Sequence, residues 1–188
     1  GVSRAELAPV IAAGLAGMGV GSLALGTFGD RYGRRTMLCV CLALVALTSL
    51  GCAAAGDLVE LGTWRFLTGI GLGGAIPNAS ALMAEYAPAR LRNVVVAAAI
   101  VGIPMGGLLG AEVAAQVIPA YGWRAIFVIG AVLPGVLCVV MWLVVPESPR
   151  FLATRPARRA ELERVLARVG AGPWRGDERF VVREAGAE

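Results

Sequence analysis

The 188-residue sequence contains no histidine and no lysine, and only 16% of its residues are charged. Soluble globular domains carry about 25% charged residues. Histidine is the commonest proton shuttle and metal ligand, and no nucleophile–base pair or metal-ligand cluster takes its place. The four cysteines lie in apolar runs without metal-ligand spacing and are typical of small core residues. The sequence therefore predicts neither an enzyme nor a metal or cofactor site.

All 17 basic residues are arginine, against 13 acidic residues, which gives a net charge of +4. The arginines occur in short clusters between apolar runs. A nucleic-acid-binding protein would gather them on one folded face, so we predict no nucleic-acid partner.

Hydrophobic residues and glycine dominate instead. Hydrophobic residues make up 57% of the sequence, and 26 residues are glycine. The mean hydropathy is +0.74. A soluble domain of this size could not bury that much apolar surface, so the predicted partner is a lipid bilayer. Five apolar runs are each long enough to span it, since about 20 helical residues cross the hydrocarbon core. They cover residues 7–28, 36–56, 61–84, 94–118 and 125–145.

These runs predict an all-α, multi-pass membrane region over residues 1–146. A cytoplasmic segment follows at 147–188, with an amphipathic helix at about 156–169. The connections after the first, third and fifth runs are rich in arginine, and the other two are not. The positive-inside rule then places the N-terminus outside and the C-terminus in the cytoplasm. Five spans with an external start predict a fragment that lacks the preceding helix.

The first connection carries the motif G-x-x-x-D-R-x-G-R-R. Gly26 allows another backbone to approach, Gly33 tolerates positive φ, and Asp30 can accept hydrogen bonds from an arginine or a helix N-terminus. The spacing resembles the loop motif between helices two and three of the major facilitator superfamily. That resemblance implies that Asp30 and its arginines latch two transporter halves in the outward-open state. The arginines are Arg31, Arg34 and Arg35.

The third run contains G-x-G-x-x-G at residues 69–74, a spacing known from dinucleotide-binding sites. No strand–helix–strand unit surrounds it, so that interpretation is rejected. Gly69 and Gly73 instead form a small-residue face for helix packing. Pro77 leaves a backbone carbonyl without its usual partner, and Asn78 either reaches a ligand or satisfies that backbone.

The fourth run carries a second small-residue stripe, because Gly102, Gly106 and Gly110 are spaced by four. This stripe also predicts close helix packing. Glu112 in the same run is either a proton-coupling site or a carboxylate that reaches the interface or an ion pair.

Arg65 lies four residues inside the third run. A guanidinium there is costly unless it is paired or faces water, so it either binds a substrate carboxylate or extends to the outer interface. Glu85, at the other end of the run, is either a gating partner of the loop arginines or a solvated helix end.

A closer resemblance rests on R-F-L-T-G from Arg65, P-N at 77–78, E-Y-A-P from Glu85, Y-G-W-R at 121–124 and P-E-S-P-R-F-L at 146–152. These stretches resemble the aromatic acid/proton symporter branch, over helices two to six of a twelve-helix fold. The resemblance implies roles for Arg65 and Glu85 in the transport of aromatic carboxylates. The acidic D-G-x-D motif of the branch's first helix is absent from this sequence, so proton coupling is not assigned to a residue.

The sequence thus predicts a secondary transporter of the bacterial inner membrane that moves a small organic anion with protons by alternating access. The proton gradient drives it, and no cofactor is expected. Arg65 and Asn78 are the predicted substrate contacts, and the missing first helix and C-terminal half are the predicted partners. The alternatives are a sugar or other organic-solute porter, and a non-transporting membrane remnant or interaction subunit.

Overall fold

The computed structural model describes residues 3–88, 90–155 and 158–168, and helices are the regular elements of this part of the chain. Five helices are long and apolar enough to cross a membrane, which confirms the all-α membrane architecture. Two short helices follow them. The helices are α1 (Arg4–Tyr32), α2 (Arg34–Ala54), α3 (Leu58–Tyr86), α4 (Arg92–Tyr121), α5 (Trp123–Val144), α6 (Pro149–Ala153) and α7 (Arg159–Arg168).

Polar caps extend helices α1 and α3 beyond their apolar runs. Ser3 and Glu6 form a reciprocal capping box at the start of α1. Asp57 caps α3 by accepting the Glu60 backbone N–H at 2.7 Å. These side chains satisfy N–H groups that have no partner within the helix, so the helix begins before the apolar stretch does.

The five long helices run alternately up and down, so the bundle has two ends. Helix α1 ends and α2 begins at the Asp30 end, where α3 and α5 also end. The opposite, Arg65 end contains the α2–α3 and α4–α5 connections. Helix α3 is central, with α1 and α2 packed against it and α5 on the far side of α2. Helix α4 touches only α3 and α5 to any extent within the described part of the chain, and none of its residues is buried.

Glycines bring the backbones of α1 and α3 into direct contact. A Cβ atom at Gly73 would overlap the Met18 carbonyl, and one at Gly69 would overlap the Gly14 carbonyl. The reverse also holds, because a Cβ at Gly21 would overlap the Ile70 backbone. Close approach of this kind allows extensive van der Waals contact between membrane helices.

The short helices pack beneath the Asp30 end. Leu152 of α6 and Leu162 and Val165 of α7 form a buried cluster against Tyr86 of α3. Leu162 and Val165, which belong to the apolar face of the predicted amphipathic helix, therefore lie against the bundle. Residues 156, 157 and 169–188, which complete that predicted helix and follow it, lie outside the described residues.

Candidate functional site

An apolar cleft of about 900 Å³ opens at the Arg65 end, between α1, α3 and α5. Aliphatic side chains from α1 and α3 form most of its wall, and Trp123 and Phe127 of α5 add aromatic rings. The other polar side chains that line it are Asp57, Arg65 and Thr68. A cleft of this composition suits a small, largely apolar ligand with one charged group.

Arg65 is the cation of this cleft. Its Cζ atom lies 4.8 Å from the centre of the Phe127 ring, and Phe127 meets Trp123 edge-to-face at 5.8 Å. The guanidinium forms no hydrogen bond or ion pair with any residue that the structure describes. Its donors are therefore free to bind a carboxylate in a bidentate arrangement.

Arg124 lies near the same end but is bound to the protein backbone. Its Nε atom donates to the Ala53 carbonyl at 3.0 Å, and its Nη2 atom donates to the Ala55 carbonyl at 2.9 Å. These carbonyls belong to the C-terminal end of α2, which lacks helical partners for them. Arg124 thus joins α5 to α2, while Arg65 has no such role.

Thr68 also lines the cleft, one turn beyond Arg65, although the sequence did not single it out. Its hydroxyl lies 2.9 Å from the Thr48 hydroxyl and 2.8 Å from the Trp64 carbonyl. The threonine pair therefore links α2 and α3 by a buried polar contact.

Asn78 lies in the α1–α3 contact and not in the cleft. It is completely buried, and its Nδ2 atom donates to the Leu25 carbonyl at 3.0 Å and the Gly74 carbonyl at 2.8 Å. Thirteen residues separate it from Arg65, which is about 20 Å along a helix. The structure does not bring the two predicted substrate contacts together. Asn78 bonds the Leu25 and Gly74 carbonyls and not the Gly73 carbonyl that Pro77 leaves without a partner, so both predicted roles of Asn78 stay predictions.

Gly26 faces the Pro77 ring across the same interface, where an added Cβ would lie 3.2 Å from the ring. The group that approaches Gly26 is this side-chain ring, whereas the sequence predicted the approach of another backbone.

The Asp30 end brings together three of the residues predicted to act in gating, Asp30 of α1, Arg34 of α2 and Glu85 of α3. Arg34 pairs with Asp30, and its Nε atom lies 3.9 Å from a Glu85 oxygen. The other Glu85 oxygen accepts a hydrogen bond from the Ser148 hydroxyl. The Asp30 side chain remains 73% exposed. Glu85 is therefore a member of this network and not a solvated helix end.

Glu147, which sequence reasoning placed only within a motif, caps helix α2 from a distance of more than 100 residues. It is completely buried, and one carboxylate oxygen accepts the backbone N–H groups of Arg35 at 2.9 Å and Ser148 at 3.1 Å. The other oxygen accepts the Thr36 N–H at 3.3 Å and its hydroxyl at 2.9 Å. A carboxylate at a helix N-terminus is favoured by both the free N–H groups and the helix dipole.

Gly33 makes this cap possible. Its φ of +103° lies in the region that favours glycine, and a Cβ there would lie 2.5 Å from a Glu147 oxygen. The glycine predicted to turn the chain also leaves space for the carboxylate.

The segment after α5 is bound to the ends of three long helices. Tyr86 donates from its hydroxyl to the Pro146 or Glu147 carbonyl, at 3.1 and 3.0 Å. Arg155 donates to the Arg31 carbonyl at 2.9 Å, while the Arg31 guanidinium lies over the ring of Tyr32. Hydrogen bonds between residues that are distant in the sequence thus hold this segment against the Asp30 end.

The glycine stripe of α4 has no counterpart in the described part of the chain. Cβ atoms at Gly102, Gly106 and Gly110 would meet nothing within 4 Å. Glu112 accepts a hydrogen bond from Gln116, one turn away on the same exposed helix. The packing role of this stripe stays a prediction.

A family model described as "Sugar (and other) transporter" matches residues 3–184. The chain belongs to this transporter family, within the major facilitator superfamily. As a member of the sugar (and other) transporter family, it is a multi-pass membrane protein. The named relatives are transporters and not enzymes, as the sequence predicted.

The similar proteins include transporters of aromatic acids. The gallate transporter of Pseudomonas putida is 40% identical over 98% of this chain, and the 4-hydroxybenzoate transporter PcaK of Acinetobacter baylyi is 37% identical over 100% of this chain. The predicted resemblance to the aromatic acid branch is confirmed. The chain spans 41% of the length of each relative.

The fold also matches that of a solved transporter from the same superfamily. The proton:xylose symporter XylE bound to 6-bromo-6-deoxy-D-glucose superposes with a TM-score of 0.79 at 25% identity. The match covers 89% of this chain and 41% of XylE.

Proposed function

We propose that this chain carries the anion-binding arginine of a secondary transporter for small aromatic carboxylates. Arg65 supports this most directly, because it lines an apolar cleft and forms no ion pair with a residue that the structure describes. A substrate carboxylate would pair with its guanidinium, and the aliphatic and aromatic wall would contact the ring. The named substrates of the relatives, gallate and 4-hydroxybenzoate, have this chemistry.

A sugar porter is the second candidate, favoured by the similarity to XylE. A sugar presents hydroxyl groups on every side and needs a hydrogen-bonding partner for each buried one. Besides the Trp123 indole, the cleft offers Asp57, Arg65 and Thr68, and the Thr68 hydroxyl is already hydrogen bonded. The described part of the cleft therefore fits an apolar anion better than a sugar.

The transport cycle proposed for this chain is proton symport by alternating access in the bacterial inner membrane. The Asp30 end would face the cytoplasm, in agreement with the arginine distribution. Asp30, Arg31, Arg34, Arg35 and Glu85 would act as a latch that holds this end closed in one state. The large exposed fraction of Asp30 leaves it available for a partner in a second bundle.

A chimeric transporter tests the proposal. This chain replaces the matching segment of the Pseudomonas putida gallate transporter, and uptake of labelled gallate is measured in cells, with and without a protonophore. We expect proton-dependent uptake, and a loss of at least tenfold in an Arg65→Gln chimera, because a hydrogen bond to a charged group contributes about 1.5–3 kcal/mol.

The matched control is Arg124→Gln, which removes a cation bound to backbone carbonyls and should retain uptake. Equal uptake by the unmodified and Arg65→Gln chimeras would contradict the anion-binding role. Competition by xylose but not by 4-hydroxybenzoate would favour the sugar porter. A chimera that inserts in the membrane without uptake would favour the non-transporting alternative.

A further inference from the structure

Arg35 lies at the beginning of α2, where that helix meets the end of α5. Its guanidinium carbon is 4.7 Å from the centre of the Trp142 ring, and its Nη2 atom donates to the Trp142 carbonyl. Helix α5 ends at Val144, so this carbonyl belongs to the last turn and has no helical partner. Two contacts thus hold the guanidinium in one place, which we call the Arg35 corner (Arg35 with Trp142).

No described carboxylate forms an ion pair with Arg35. Asp30 and Glu85 form their ion pairs with the neighbouring Arg34. Glu147 accepts a hydrogen bond from the Arg35 backbone N–H and not from its guanidinium. The Nε atom of Arg35 is buried and has no hydrogen-bond partner. A partly buried cation of this kind is costly unless an anion lies near it.

The Arg35 corner faces the outside of the bundle. Trp142 is 55% exposed, and Leu143 and Val144 beyond it are also exposed. In a membrane protein such an apolar outer surface contacts lipid, and tryptophan at a helix end lies at headgroup depth. The anion most abundant at that depth is the lipid phosphate.

We propose that the Arg35 corner binds the headgroup of an anionic phospholipid. The phosphate accepts hydrogen bonds from the guanidinium donors not used by Trp142, and the acyl chains contact the exposed apolar residues at the end of α5. Arg124 at the opposite end also lies over a tryptophan, but two of its donors bond backbone carbonyls, whereas Arg35 bonds one. The comparison separates a lipid-binding arginine from one that joins two helices.

Fluorescence quenching of Trp142 provides the test. The full chain carries W64F, W123F and W174F, so that Trp142 is its one fluorescent tryptophan. It is reconstituted in phosphatidylcholine vesicles with a minor fraction of lipid brominated near the glycerol. The brominated lipid is either phosphatidylglycerol or phosphatidylcholine. We expect about fivefold enrichment of phosphatidylglycerol near Trp142, as one basic residue near an anionic surface produces.

Arg35→Gln in this reporter should abolish the preference, while Arg124→Gln should retain it. The preference in the unmodified reporter should also weaken with rising salt. Equal quenching by the two lipids, a preference that persists in Arg35→Gln, or one that salt does not change would overturn the proposal. Replacing chloride by inorganic phosphate at equal ionic strength should leave the preference intact, and its loss would assign the site to the free ion instead.

Discussion

Replacing Glu147 by Gln should destabilise the chain, because the buried carboxylate joins the start of α2 to the segment after α5 at the Asp30 end. It accepts backbone N–H groups from Arg35, Thr36 and Ser148, as well as the Thr36 hydroxyl. Glutamine has nearly the same shape but only one acceptor oxygen. Its amide group would face N–H donors, which it cannot accept.

The four hydrogen bonds set the size of the effect. Glutamine retains the two bonds made by one oxygen and loses or reverses the two made by the other. The Thr36 hydroxyl can rotate to accept a hydrogen bond from the amide, so one bond to a charged acceptor is lost outright. Such bonds contribute about 1.5–3 kcal/mol each, and the helix N-terminus loses its favourable negative charge. We expect the free energy of unfolding to fall by about 2–4 kcal/mol.

The free energy of unfolding can be measured by titrating the chain in dodecylmaltoside micelles with sodium dodecyl sulfate and following the far-ultraviolet circular dichroism. Glu163→Gln is the matched control, since Glu163 forms a partly exposed ion pair with Arg159 at 2.9 Å. Exposed pairs of this kind contribute at most about 1 kcal/mol, and within a helix about 0.3–0.5 kcal/mol. The control should therefore unfold close to the unmodified chain.

Gly33→Ala extends the test to the turn beside the carboxylate. An alanine at φ +103° is strained by about 1–3 kcal/mol, and its Cβ would lie 2.5 Å from the Glu147 oxygen. Since Gly33→Ala displaces the same carboxylate that Glu147→Gln weakens, the double variant should lose less than the sum of the two. Two results would refute the capping role. One is a Glu147→Gln chain that is no less stable than the Glu163→Gln chain. The other is a double variant whose loss of stability equals the sum of the losses of Glu147→Gln and Gly33→Ala.

The same unfolding titration checks three further expectations. Gly73→Ala should lower the free energy of unfolding by about 1–3 kcal/mol, because the new Cβ overlaps the Met18 carbonyl. Gly106→Ala should leave it unchanged, because nothing lies within 4 Å of a Cβ there. Equal stability of the two variants would contradict the close α1–α3 contact. Asn78→Asp should lower the free energy of unfolding by at least about 3 kcal/mol, since it buries a carboxylate against the Leu25 and Gly74 carbonyls. An unchanged free energy of unfolding would mean that the site is open to water. Tyr86→Phe should cost about 1 kcal/mol by removing the hydroxyl bonds to the segment after α5, and an unchanged chain would show that these bonds are replaced by water.

The helices and one of their packing faces could be predicted because both depend on local patterns. A run of about 20 apolar residues must form a helix in lipid, and glycines spaced by four lie on one side of it. The helix that packs against this glycine face could not be predicted in the same way. Gly69 and Gly73 are visible as a pair, but their contact with Gly14 and Met18 depends on how α1 and α3 are brought together. The stripe at 102–110 has the same spacing and meets no helix in the described chain.

The Asp30 end shows a similar division. The position of Gly33 in a tight connection indicated positive φ, and the structure gives +103°. Glu147 gave no comparable signal, since three of its four hydrogen bonds come from Arg35 and Thr36, more than 100 positions away. Burial of a carboxylate depends on the donors around it, and three of these four donors are backbone N–H groups, which every sequence contains. No residue pattern near 147 could identify them.

Arginines in or near the membrane show why depth alone does not determine function. From sequence, Arg65 is unusual because it lies within an apolar run, while Arg35 and Arg124 belong to connections. In the structure all three lie over aromatic rings, at 4.6 to 4.8 Å. What distinguishes them is the set of partners for their donors. Arg124 has two backbone carbonyls, Arg35 has one, and Arg65 has none among the described residues.

A guanidinium carries five donors and a full charge, so the partners it lacks within the protein must come from elsewhere. For Arg124 the backbone suffices, and its role is to join helices. We propose that the missing partner of Arg35 is an anion at the lipid surface and that the missing partner of Arg65 is an anion inside the cleft. Removing Arg124 should therefore affect stability alone. Removing Arg35 should affect the lipid preference, and removing Arg65 should affect substrate uptake. Loss of gallate uptake in the Arg124→Gln chimera as severe as in Arg65→Gln would show that this separation by partners is wrong.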